Sequence, residues 1–145
     1  MKALIPGVLL GTMFAASGVF AGQACAQSAV DGTLTNTSGV LATVSSPTCQ
    51  SALSPAPGTL MHRGVYGFAA ASATTTSNGC TIRIARSDNL RFCNWVLNRL
   101  RSSSTGAWNL PTITQTSSPT GVTCTNAISN VQTNGNWTAT LSIAP

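Results

Sequence analysis

Three residues in the stretch SDNLRFCNWVLNRLRSS, residues 87–103, have the types and spacing to hold a ligand. Arg91, Trp95 and Arg99 recur every fourth position. At helical spacing, residues four apart share a face, so two guanidinium groups would flank one indole. A cation over an exposed aromatic ring gains roughly 0.5–1 kcal/mol. Such a face is a flat, positive, aromatic patch for an anionic or sugar-like ligand, or for a partner subunit. Arg83 and Arg86 lie just ahead and extend it. The competing reading covers Trp95 with a loop and leaves the arginines to solvate the back of the helix.

Catalytic chemistry is poorly supplied. His62 is the single histidine, and Asp31 and Asp88 are the only acids; there is no Glu. A histidine base needs a group to orient it, and Asp88 is better used at a helix start. Paired-carboxylate hydrolysis lacks its carboxylates. Gly-x-Ser-x-Gly, phosphate-loop and His-Glu-x-x-His motifs are absent. No close Cys-x-x-Cys pair offers a zinc site, and nothing suggests a cofactor. His62 therefore reads as a partly buried structural residue, alternating with Leu60, Tyr66 and Phe68. A small hydrolase built on His62 and the arginines is the weakest functional reading.

The elements that would position the patch are one helix and several strands. Ser87 or Asp88 can cap a helix start. Steps of 100° put Leu90, Phe92, Cys93, Val96, Leu97 and Leu100 on one arc, with Arg91, Asn94, Trp95, Asn98 and Arg101 opposite and Arg99 at the edge. This predicts an amphipathic helix over about 88–102. Residues 59–68 read as a strand with a bulge at Gly64. Two Asn-Gly pairs predict hairpin turns, at Asn78-Gly79 and Asn134-Gly135, because both residues tolerate positive φ. After the first, Cys80, Ile82 and Ile84 share one face, with Thr81 and Arg83 on the other. After the second, Trp137, Ala139, Leu141 and Ile143 point inward, and Thr138, Thr140 and Ser142 outward. GAWNLPTIT and GVTCTNAIS read as strands joined through SSPTG. Residues 27–48 read as a flexible arm or as one or two short strands. The expected fold class is α+β: one small domain, an antiparallel sheet of about five to seven strands with one helix packed across it.

The amino terminus predicts export. Lys2, an apolar run and Ala24-Cys25-Ala26 form a secretory signal peptide of bacterial style, with residues 1–26 removed. No stable transmembrane helix then remains. Lipidation of Cys25 is the alternative, although Gly22 stands where such sites want a Leu-like residue. Either way Cys49, Cys80, Cys93 and Cys124 remain, an even set that reads as two disulfides in an oxidising compartment. If strand 80–86 turned into the helix, Cys80 would lie ~20 Å up the strand and Cys93 only ~8 Å back along the helix. That mismatch exceeds the ~7 Å limit for a disulfide. Cys93 is thus expected to pair with Cys124 or Cys49.

Residues 27–145 form a single domain. Six arginines less two aspartates leave it at +4, and charged residues are only 6% of the 145-residue chain, against ~25% in an ordinary soluble domain. Nucleic acid binding would fit the charge alone, but export and the lack of lysine after Lys2 argue against it. The leading expectation is an exported, non-catalytic structural or interaction protein, a subunit or accessory part of a cell-surface assembly. A monomeric periplasmic inhibitor or ligand-binding module using the Arg/Trp patch is the alternative.

Overall fold

A computed structural model describes residues 29–49, 52–72 and 74–145; the segment 1–26 expected to be a signal peptide, its expected cleavage site and Cys25 lie outside the described residues. The described chain is all-β. Its strands are β1 (Ala29–Asn36), β2 (Ala42–Cys49), β3 (Thr59–Leu60), β4 (Val65–Ala71), β5 (Ser77–Arg86), β6 (Phe92–Leu100), β7 (Thr112–Ser117), β8 (Thr123–Ser129) and β9 (Trp137–Ala144). They form a four-stranded sheet, β4-β1-β9-β8, and a five-stranded sheet, β3-β2-β5-β6-β7. All pairings are antiparallel except β1 with β9, which is parallel. There β1 runs so close to β9 that a Cβ on Gly32 would meet the Ala139 carbonyl oxygen at 1.9 Å; only glycine fits.

The predicted helix over 88–102 is replaced by β6, and the α+β expectation falls with it. In a nine-residue window an apolar arc at 100° and an alternation at 180° use many of the same residues, so periodicity alone does not separate them. Pairing does. β6 has a neighbour on each side, with Trp95 opposite Ile82 on β5 and Gln115 on β7. Cys93, Trp95, Leu97 and Arg99 all face inward, and Phe92, Asn94, Val96, Asn98 and Leu100 face out. Ser87–Asn89 make the turn between β5 and β6, with Leu90 at φ 58°. Asp88 caps no helix; its carboxylate accepts two hydrogen bonds from Arg86, at 3.0 and 2.8 Å.

Two other expectations are corrected. Asn78-Gly79 is not a turn but lies within β5. Asn78 is fully buried, where its Oδ1 accepts the Trp137 indole N–H at 3.0 Å and its amide donates to the Gly135 carbonyl at 3.0 Å. A buried amide with both ends matched is a core element rather than a turn former. Residues 59–68 are not one bulged strand, because β3 and β4 lie in different sheets. The chain crosses between them in a turn at residues 61–64, with Arg63 at φ 64°.

Other strand assignments hold in the main. The segment 27–48 carries β1 and all of β2 but its last residue, Cys49. β8 and β9 pair as the expected hairpin, but through the longer loop 130–136 rather than a two-residue turn: Gly135 has φ 99°, and the other positive φ in the loop is at Asn130, not Asn134. Trp137, Ala139, Leu141 and Ile143 are buried as the alternation requires, and Cys80, Ile82 and Ile84 are buried on the inner face of the other sheet. β8 forms where expected, but β7 keeps only the TIT end of GAWNLPTIT, since residues 102–111 loop back and the strand runs on to Ser117; the two strands belong to opposite sheets.

Two disulfides staple this sandwich. Cys49–Cys80 joins β2 to β5 at opposed positions within one sheet, and Cys93–Cys124 ties β6 to β8 across the two sheets. The expected absence of Cys80–Cys93 is met for a different reason from the one reasoned above. The β5–β6 register sets Cys80 opposite Leu97 and Cys93 opposite Ile84. Four residues along a strand separate them by ~13 Å.

Candidate functional site

The five residues of the predicted patch do not form one surface. Trp95 is fully buried in the core, and its indole N–H donates to Gln115 Oε1 at 3.0 Å. Arg83 lies on the outer face of the five-stranded sheet, its guanidinium carbon 3.8 Å from the Phe92 ring centroid. Arg86 is spent on Asp88. That hydrogen bond, more than the attraction of opposite charges, raises the Arg86 pKa and lowers that of Asp88. Arg91 is exposed at the same turn, and a Cβ on Gly121 would strike its guanidinium. Arg99 alone sits at the opposite end, eight residues and ~26 Å along the strand.

His62 is exposed in the β3–β4 turn rather than partly buried. Its Nδ1 accepts the Gly39 N–H at 3.1 Å. In the neutral ring this leaves the proton on Nε2. No carboxylate pairs with it among the described residues.

The Arg99 end is built from the segment 101–111 between β6 and β7 and from the 130–136 loop between β8 and β9. Inward alternation on β6 carries Arg99 under both of them. Its relative exposure is 4%. Nε donates to the Asn109 carbonyl at 2.8 Å and Nη1 to the Asn136 carbonyl at 3.0 Å. One guanidinium thus joins the loop of one sheet to the loop of the other. Burial lowers its pKa, yet an arginine keeps its proton in a protein. The ion pair between Arg86 and Asp88 is the one present among the described residues, so Arg99 is a buried cation with no carboxylate beside it.

Trp108 covers this end. It bridges backbone to backbone with Arg101. Its ring centroid is 4.7 Å from the Arg101 guanidinium carbon and 5.9 Å from that of Arg99. Arg101 N–H donates to the Thr76 carbonyl at 2.9 Å, and its Nε donates to Thr75. Two recesses meet at Arg99. One of about 180 Å³ is lined by Ala107, Trp108, Val131, Gln132 and Thr133. The other, about 190 Å³, lies between Asn98, Asn109 and Leu110. An arginine–tryptophan site therefore exists, but its tryptophan is Trp108. Read as a strand, the run Cys93-Trp95-Leu97-Arg99 would have turned Arg99 inward. Nothing local marks Trp108, whose place depends on how residues 101–111 fold back.

Fold and site together define a disulfide-stapled β-sandwich with a buried cation under a tryptophan at one end. No family model matches the chain, and no curated protein matches it. Among solved structures it is similar to IP-1A from Alcaligenes faecalis, whose crystal structure was determined at 1.8 Å resolution. The TM-score is 0.52 and the identity 9%, over 82% of this chain and 91% of that one. At that identity the likeness is one of fold.

Proposed function

We propose that this is an exported, non-catalytic interaction protein, a subunit of a cell-surface assembly that pairs with further copies of itself through the free edge of β7. The observation that carries this reading is the character of that edge. β7, TITQTS, has no charge and no proline, and every residue but Ile113 is exposed. Natural sheets block such edges with lysine, proline, bulges or a covering segment, because unpaired backbone groups template a further strand. The other edges are better protected. β3 has two residues. β4 is covered where Ser54 exchanges backbone hydrogen bonds with Ala69, at 2.9 and 2.8 Å. β8, TCTNAIS, is likewise uncharged and exposed, but its Cys124 carbonyl is taken by the Gln115 side-chain amide at 3.2 Å and its Asn126 side-chain amide donates to Gln115 Oε1 at 2.8 Å.

Two disulfides are compatible with an extracellular or periplasmic location, and the signal-like amino terminus supports the same reading. The hydrolase reading has no support in the His62 geometry. Sedimentation of the mature protein over a hundredfold range of concentration tests the proposal. Oligomers should grow with concentration, and Thr114→Lys, which puts a charge in the middle of β7, should return monomers. A wild-type protein that stays monomeric throughout overturns it.

A further inference from the structure

We infer that the recess between Trp108 and the 130–136 loop is a binding site for a carboxylate carried on a small apolar body, held by Arg99. The inference is independent of edge pairing by β7.

A guanidinium has five N–H donors, and Arg99 uses two, on Asn109 and Asn136. Three have no partner among the described residues. A buried charge is stable when it is paired and its remaining donors are matched. Two neutral carbonyls and the Trp108 ring offset part of the desolvation and cancel none of the charge. Joining two carbonyls needs two neutral N–H groups, which an amide side chain supplies; a guanidinium adds a positive charge and a planar fork. That fork matches the two oxygens of a carboxylate.

The walls select among anions. Ala107, Trp108 and Val131 are apolar, and Gln132 and Thr133 supply the only other polar side chains. A multiply charged phosphate would need more cations than Arg99 and the Arg101 stacked on Trp108. A single carboxylate is matched by one guanidinium, and its apolar body by the indole and valine. A space of about 180 Å³ is many times the ~10–15 Å³ that one water requires, enough for a small organic acid or for one acidic side chain from another chain.

The test is a titration of the 15N-labelled mature protein, following the Arg99 Nε–H resonance at constant ionic strength. Sodium benzoate represents a free acid. A short peptide with a free terminal carboxylate, and its amide, represent a carboxylate from another chain. Benzoate should shift the resonance saturably, with at least tenfold tighter apparent binding than chloride; Arg83→Gln should bind as wild type. The peptide acid binding more tightly than benzoate, and its amide not at all, would place the ligand on another chain. The reverse order would place it among free acids. Arg99→Gln should lose benzoate binding; should that variant fail to fold, Thr133→Glu supplies an internal carboxylate, which should raise the melting temperature and abolish benzoate binding with Arg99 in place. Equal shifts with benzoate and chloride, or benzoate binding unchanged in Thr133→Glu, would overturn the assignment.

Discussion

The two ends of the sandwich are tied across the sheets by different means. Near the β5–β6 turn the tie is covalent, Cys93–Cys124. At the other end it is Arg99, reaching one carbonyl on each side. The fates of the arginines follow. Arg86, at the turn, meets Asp88 in the open and is satisfied. Arg99 is interior and has no acid. A disulfide is indifferent to what approaches it. A buried guanidinium is not, because its charge remains to be matched. One end is thus closed and inert, and the other holds together in a way that a ligand can strengthen.

The largest test of this contrast removes the covalent tie. Cys93→Ser with Cys124→Ser opens a bridge between residues 31 apart in sequence, and should cost about 3–4 kcal/mol in the chain-entropy account, read by urea denaturation. Arg99→Ala comes next. It strands the Asn109 carbonyl, at about 1–3 kcal/mol for a group left unsatisfied, and removes the packing of the buried stem, with some relief from no longer burying a charge; the Asn136 carbonyl keeps the Gln132 N–H at 2.9 Å, and a net loss of about 2 kcal/mol is expected. Arg99→Lys, which keeps the charge but cannot span both carbonyls, should recover only part of it. Should Arg99→Ala prove neutral, the guanidinium is no tie and the comparison fails. Trp108→Ala should cost about 1–2 kcal/mol, less than the 3–5 kcal/mol of a fully buried aromatic, because the residue is only partly buried.

Smallest is the surface pair. The Asp88 carboxyl is held below its usual pKa, so its contribution is present above the ordinary aspartate range and is lost as pH falls through the lowered value, below about 3.9. Melting temperatures of wild type and Asp88→Asn should differ slightly at pH 7 and converge in that acid range. A gap that persists at pH 2 would mean that Asp88 acts by something other than its charge.

The misreading of residues 87–103 has a definite cause. Phe92, Cys93, Val96, Leu97 and Leu100 make an apolar arc at helical steps, yet Cys93, Trp95, Leu97 and Arg99 also alternate. The helical reading set Trp95 outward between Arg91 and Arg99; the strand sets it inward against Ile82. Asn78-Gly79 failed for a related reason. The pair tolerates a turn, but Trp137, 59 residues away, supplies an indole N–H that holds Asn78 inside.

Sequence alone determined what depends on neighbours along the chain. It settled two disulfides among Cys49, Cys80, Cys93 and Cys124, the buried faces of Cys80-Ile82-Ile84 and Trp137–Ile143, and the hairpin around Asn134-Gly135. Alternation and turn chemistry are local, so they survive without partners. Tertiary structure decided what depends on pairing between distant strands: that residues 92–100 extend rather than coil, that β7 and β8 part into opposite sheets, and that Arg99 lies under Trp108 rather than beside Trp95. A backbone hydrogen bond within a helix is satisfied by the segment itself, whereas a strand's is satisfied only by another segment, and no pattern within nine residues states which.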